Sequence, residues 1–342
     1  MKKISVHKAA GLVLGHDITR IIPGSFKGVA FKKGHIIQPE DVPALLDLGK
    51  EHIFVLDIPA GHLHENEAAQ RLAEALQGDH IILQDPSEGK IGLLAGIFGL
   101  LKIRVDSLAR INLIPNIIVS TLHNNTVCQA GDTVAGTRII PLTIDEQSVE
   151  RAEAIGTQRG PVISIKPFLK KKVGVVVTGS EIFKGRVQNG FDDWVGKKLL
   201  AFDCDISLIE VVPDKTIRIS QAIKKVRGAG CDLIITTGGM SIDPDDVTRK
   251  GIRQAGAKII FYGTPVLPGA MFLYARLGEI PLLGLPACVF YHQVTLFDLI
   301  LPLILAGETP TRKQIAAMGH GGLCRNCPEC RFPICPFGKG GA

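Results

Sequence analysis

Between about residues 166 and 310, short apolar runs alternate with helix-length segments, and no other feature restricts the fold as strongly. The runs are "KVGVVVTG", "DISLIEVV", "DLIITTGG" and "AKIIFYG", and between them stand "WVGKKLLAFD", "DKTIRISQAIKKVRGAG" and "DPDDVTRKGIRQAG". Four to six consecutive apolar or β-favouring residues leave a strand no polar face, so it needs cover on both sides, and intervening helices supply that cover. The expectation is a three-layer α/β/α unit with a mainly parallel sheet.

The rest of the chain has a different rhythm. Residues 1–78 read as α+β, with helices expected in "QPEDVPALLDLG" and "ENEAAQRLAEALQG", each closed by a glycine. Residues 79–165 read as a β-rich domain of short strands separated by Gly, Asn and Pro, with helices in "VDSLARINLI" and from Asp145 to about Ile155. Residues 311–342 form a short tail that holds four of the eight cysteines.

Charge and hydropathy narrow the function classes. The 39 Lys and Arg exceed the 33 Asp and Glu by only six, too mild and too dispersed an excess to argue for nucleic acid. No apolar run approaches the roughly 20 residues of a membrane span: Ile91 to Leu101 stops at Lys102, and Val294 to Ala306 contains Asp298 and Pro302. The start, "MKKISVHKAAG", has no apolar segment behind its basic residues. A cytoplasmic protein with reduced thiols is expected, bound neither to nucleic acid nor to a membrane.

In an open α/β sheet, ligands bind beyond the carboxyl ends of the strands. Three loops are expected on that rim: "TGSE" at Thr178 to Glu181, "TTGGMS" at Thr236 to Ser241, and "LPACVF" at Leu285 to Phe290. Gly238 and Gly239 permit close backbone approach to a ligand, and Thr236, Thr237 and Ser241 add hydroxyl donors, so this turn suits a phosphate. Asp243, Asp245 and Asp246 would repel a phosphate unless a cation lies between them, which points to magnesium. The simpler reading makes Asp243 the N-cap of a helix, Pro244 its first residue and the next two aspartates partners of its dipole. Chemistry alone leaves both readings open.

"VGVVVTGSEIFKGRVQNGF", "CDLIITTGGMSIDPDDVT" and "GTPVLPGAMF…IPLLGLPACVF" together resemble the molybdopterin-binding domain shared by molybdopterin adenylyltransferases, molybdopterin molybdenumtransferases and gephyrin. "AAGLVLGHDITRIIPG" and "AFKKGHII" resemble the opening of the molybdenumtransferases, so the likeness extends to about residue 310. The resemblance implies that Thr178, Gly179, Ser180 and Glu181 form a first ligand loop. It makes Thr237, Gly238, Gly239 and Ser241 the phosphate loop, with Asp246, joined by Asp243, at the acidic, magnesium-linked catalytic position. Asn189, Pro268, Gly269 and Pro286 match further ligand positions, and Cys288 stands in a ligand loop where the family has Asn. Three departures stand out: "QNG" replaces the Asp-Ser-Asn after the first loop, "LPGAM" lacks the two lysines of Lys-Pro-Gly-Lys-Pro, and "PACV" replaces Pro-Gly-Asn-Pro.

The implied function is molybdenum cofactor biosynthesis: magnesium-assisted binding of molybdopterin or its adenylate, leading to insertion of molybdenum supplied as molybdate. Alternatives are adenylyl transfer to the pterin phosphate, or a non-catalytic carrier that delivers finished cofactor to a recipient molybdoenzyme or regulates its use. Relatives of this kind commonly self-associate, so a homo-oligomer is expected.

The tail "CRNCPECRFPICPFGKGG" spaces Cys324, Cys327, Cys330 and Cys335 as C-x2-C-x2-C-x4-C. Four thiols within twelve residues in a reducing compartment point to a metal, either zinc or an iron-sulfur cluster. Elsewhere, His62, His64 and Glu65 in "GHLHE" read as surface polar groups on a loop, and Cys128, Cys204 and Cys231 as buried small hydrophobes.

Overall fold

The computed structural model describes residues 2–22, 25–56, 58–188, 190–240 and 247–340, with Phe26 described by its backbone alone. The chain divides into two compact units, one of residues 1–124 and 128–166, the other of 125–127 and 167–342.

In the first unit, Lys2–Ser5 pairs antiparallel with His52–Val55, and Ile18–Ile22 forms a hairpin with Phe26–Phe31. Val6, Leu14, Ile18, Ile37, Leu45 and Ile53 make a small core there. A larger core forms around a four-stranded antiparallel sheet in the order Ile81–Leu83, Lys90–Ala95, Thr133–Ile139, Ile117–Thr121. The helix Glu65–Leu76 lays Ala68, Ala69, Leu72, Ala73 and Leu76 on that sheet, the stripe that helical periodicity places on one face. Its neighbour, the helix Glu146–Thr157, is capped by Asp145, whose carboxylate accepts the N–H of Ser148 at 3.1 Å. Arg71 joins the two helices through Glu146 and Glu153, each at 2.8 Å. The helices expected near residues 41, 65, 105 and 146 are all present.

The second unit carries a six-stranded sheet. Its strands are β1 (Lys172–Thr178), β2 (Asp205–Val212), β3 (Leu233–Thr237), β4 (Lys258–Tyr262), β5 (Leu273–Leu277) and β6 (Ile280–Leu285), in the order β2-β1-β3-β6-β5-β4. The first four strands in that order run parallel. The last two pairings are antiparallel. The sheet is therefore mainly parallel, as expected, but "AKIIFYG" forms an antiparallel edge, and β5 is a strand that periodicity had not marked.

Two helices, α1 (Thr216–Gly228) and α2 (Thr248–Gln254), cover one face, where Ile219, Ile223, Val226 and Ile252 pack with Val176, Ile234 and Leu282. One residue along each of these strands, Val175, Ile235 and Leu283 are equally buried toward the opposite face. Full burial of such a side chain is worth about 1.5–3 kcal/mol relative to exposure, which accounts for runs without polar interruption. A further helix, α3 (Leu296–Leu305), is buried along almost its whole length and opens on a capping box between Thr295 and Asp298. Helix α1 lies so close to β1 that a Cβ on Gly174 would overlap Val226.

Helix α2 opens at Thr248 with Val247 at its N-cap. The capping reading falls on Asp243 and Pro244, which lie outside the described residues. Asp243, Asp245 and Asp246 themselves lie outside the described residues, as do Ser241 and Asn189.

Candidate functional site

The parallel register sets the ends of β1, β3 and β6 side by side, with Val177 opposite Thr237 and Thr237 opposite Leu285. The loops that leave these ends line one cleft of about 670 Å³ with the segment Leu267 to Met271. Thr178, Gly179, Glu181, Gly238, Gly239, Pro268, Gly269, Pro286 and Cys288 all reach it. Ser180 and Thr237 do not line it, though each adjoins a residue that does.

The glycine pair has an internal reason as well as a ligand-directed one. Gly238 and Gly239 have φ of +86° and +59°, and a Cβ on either would overlap Thr178 or Thr248. The Thr178 hydroxyl, 2 % exposed, donates to the Thr237 carbonyl at 3.1 Å and lies 3.1 Å from the Thr248 hydroxyl. Thr236 is turned inward too, toward the Leu283 carbonyl at 3.4 Å. The hydroxyls of Thr178, Thr236 and Thr248 thus fasten strand ends and the start of α2 together. The feature expected to meet a phosphate is, in its side chains, largely a joint that fixes where the glycine amides lie.

Beside Glu181, charge in the cleft comes from a residue that motif reading did not single out. Asp214, just beyond β2, lines it, and the Ser180 N–H donates to the Asp214 carboxylate at 2.7 Å. The Asp214 N–H returns a bond to the Ser180 hydroxyl at 3.3 Å. Among the described lining residues the carboxylates are Glu181 and Asp214, the titratable nitrogen base is His292, and there is no Lys or Arg. Asp214 also lines a neighbouring cleft of about 620 Å³ that carries Lys215 and Arg218. Pattern could have found Asp214, because it follows a parallel strand as Gly179 and Gly238 do.

The remaining walls are apolar. Met240 is buried against Gly284, and its carbonyl accepts from the Tyr262 hydroxyl at 2.7 Å. Arg249 covers the other side of that tyrosine, 4.3 Å from the ring centre. Cys288 lies in the short helical turn Ala287–Phe290, half-buried, and burial pushes its thiol above the ordinary range, so it is a neutral thiol near pH 7.

Two other expectations meet the structure differently. Cys128, Cys204 and Cys231 are buried as expected. His64 and Glu65, expected on the surface, are 1 % and 6 % exposed. His64 ends the strand His62–His64 and hydrogen-bonds the Gly15 carbonyl at 2.5 Å, while its other ring nitrogen accepts the Asn66 N–H at 3.1 Å. Burial is the main reason that the Glu65 carboxyl rises to about 7, with Asp17 adding to the shift.

Comparison with known proteins adds the following. Residues 174–306 match the family described as a probable molybdopterin binding domain, and residues 3–57 match a domain of unknown function. A CinA-like protein of Mycolicibacterium vanbaalenii is 32 % identical over 112 residues, 33 % of this chain and 25 % of that protein. A CinA-like protein of Mycobacterium tuberculosis is 30 % identical over 90 residues, 26 % of this chain and 21 % of that protein. The chain thus spans about a quarter of the length of these curated relatives. Among solved structures, the molybdopterin biosynthesis enzyme MoaB of Thermus thermophilus is 19 % identical, over 40 % of this chain and 98 % of that one, with a TM-score of 0.33. A molybdenum cofactor biosynthesis protein of Pyrococcus furiosus is 15 % identical, over 90 % of this chain and 66 % of that one, with a TM-score of 0.27.

Proposed function

Because residues 174–306 are a molybdopterin-binding domain by family, we propose that the cleft at the ends of β1, β3 and β6 binds molybdopterin or its adenylate during molybdenum cofactor biosynthesis. The observation that carries this reading is the convergence of three strand-end loops on one cleft whose described walls hold two carboxylates and neither Lys nor Arg. A phosphorylated ligand there needs positive charge from elsewhere, and a hard divalent cation suits both carboxylate and phosphate oxygens.

Glu181 and Asp214 fit such a cation, and Asp243, Asp245 and Asp246 follow the Gly238 and Gly239 loop in sequence. Magnesium, when bound, would neutralise charge on the ligand phosphate. The chain's own part is to present the Gly238 and Gly239 backbone at a position fixed by Thr178, Thr237 and Thr248. Met240, Leu267 and Met271 enclose the apolar part of the ligand, and the clefts that meet at Asp214 give an elongated adenylate a second compartment beside Lys215 and Arg218.

Insertion of molybdenum, with molybdate as substrate, is the leading activity. A carrier role is the second reading, favoured by the wall from Leu267 to Met271, where Leu267 and Ala270 stand in place of the two lysines. Calorimetric titration of the anaerobic full chain with molybdopterin and adenylylated molybdopterin, with and without magnesium, separates these readings. Magnesium-dependent AMP release with molybdate incorporation supports insertion, and tight binding without turnover supports the carrier. Absence of binding to either pterin removes the proposal.

A further inference from the structure

The cysteine tail is stitched to the edge of the cleft. Gly322 accepts the Leu267 N–H at 2.8 Å, and the Cys324 N–H donates to the Leu267 carbonyl at 2.8 Å, so Leu323 runs parallel to Leu267 as one added rung. Fifteen or so residues later the chain returns: the Gly338 N–H donates to the Gly321 carbonyl at 3.0 Å, and Phe337 is buried. Gly338 lies so close over Leu299 that a Cβ there would meet its side chain at 2.5 Å. The cysteine run is therefore a loop with both ends fixed to the same place.

Within that loop all four sulfur residues, Cys324, Cys327, Cys330 and Cys335, line a single cavity of about 1210 Å³. His292 forms part of its wall and part of the neighbouring cleft. The first turn has a specific geometry: Asn326 takes φ +47°, and its N–H is directed at the Cys324 sulfur, 3.5 Å away. The sulfurs share the cavity without converging, and among the described residues no three His, Cys, Asp or Glu side chains are grouped to hold a metal ion. In thiolate sites of this size the metal itself drives convergence, because binding free energy is the folding free energy of the loop.

We propose that Cys324, Cys327, Cys330 and Cys335 hold one thiophilic metal centre in this cavity, and that the centre clamps the Leu267 edge of the cleft. The chemistry is four-thiolate ligation, which both tetrahedral zinc and an iron-sulfur cluster use. Each thiol that binds zinc releases its proton to solvent with no electron transfer, and a preassembled iron-sulfur cluster would enter by exchange, each incoming thiol passing its proton to the thiolate it displaces. This inference does not rest on which ligand occupies the cleft.

The test uses full-length protein purified anaerobically, analysed for zinc, iron and acid-labile sulfide, then stripped and titrated with Co2+. About one zinc per chain, with the visible absorption of tetrahedral thiolate cobalt, supports the proposal through zinc; iron with matching sulfide supports it through a cluster. The variant with all four cysteines changed to serine should lose the metal, Cys327→Ser alone should weaken binding at least tenfold, and Cys288→Ala should leave the metal content unchanged. Far-UV circular dichroism checks that the quadruple variant is folded. No metal after reconstitution, or metal retained by the folded quadruple variant, overturns the site. Hydrogen exchange tests the clamp: the amides of Leu267 and Cys324 should exchange at least tenfold more slowly in loaded protein, and equal rates overturn that part.

Discussion

Ser180 and Asp214 hold each other by two hydrogen bonds: the Ser180 N–H donates to the Asp214 carboxylate at 2.7 Å, and the Asp214 N–H donates to the Ser180 hydroxyl at 3.3 Å. One bond needs an acceptor oxygen and any role with a cation needs the charge, so two substitutions separate them. Asp214→Asn keeps an acceptor and should leave stability nearly unchanged while weakening magnesium-dependent ligand binding at least tenfold. Asp214→Ala should lose that binding and about 1 kcal/mol of stability. Calorimetry with and without magnesium, beside urea unfolding, checks both. Equal binding by wild type and Asp214→Asn would exclude a charge role.

At Gly238 the left-handed backbone and the nearness of the Thr178 carbonyl act together. Gly238→Ala should lower stability by about 1–3 kcal/mol through backbone strain and displace the amides that border the cleft. A lowered melting temperature with lost ligand binding is the expected pair of results, and an unchanged melting temperature refutes it.

Gly174 makes a similar case far from the cleft, where only packing is at stake. Gly174→Ala should destabilise the second unit by about 1–3 kcal/mol, since the added methyl meets Val226 of α1. Binding measured on the folded fraction should stay at the wild-type level.

Glu65 should make the first unit less stable as pH rises. Its carboxyl ionises at 4.5 when unfolded and at about 7 when folded, raised first by burial and then by Asp17, while Arg138 and Lys33 oppose the shift. The unfolded chain releases that proton at lower pH, so the stabilising contribution is complete below 4.5 and fades as pH climbs to about 7. Glu65→Gln should flatten the fall over that interval. Urea midpoints from pH 4.5 to 7.5 provide the check, and identical slopes for wild type and variant would disprove it.

Cys288 should alkylate slowly near neutral pH, because burial keeps it a thiol. Timed iodoacetamide labelling of metal-stripped protein, read by mass spectrometry, should show exposed Cys327 modified first and Cys288 later. The reverse order is incompatible with this environment.

The sheet was legible because its strands had no polar face: "VGVVVT" and "LIITT" cannot be stable with one side in water, and both became central parallel strands. The antiparallel edge was harder to read. "LYARL" is interrupted by the charge of Arg276, whose guanidinium turns aside to Glu279 and the Thr309 hydroxyl and so leaves the other side chains buried. The glycine loops were legible by position, but the inward turn of Thr178 and Thr236 depended on partners dozens of residues away. His64 was misread for the same reason, since its partner is the carbonyl of Gly15.

Leu267 shows what the returning chain leaves for a guest molecule. Its N–H and carbonyl are both taken by Gly322 and Cys324, Pro268 has no N–H and gives its carbonyl to Leu296, and the Gly269 carbonyl already receives Thr264 and Phe272. That stretch of wall is nearly mute in hydrogen-bonding language and speaks through contour. Selectivity on this side should therefore respond to the bulk of a ligand more than to its polar decoration, with discrimination left to the opposite bank around Glu181 and Asp214.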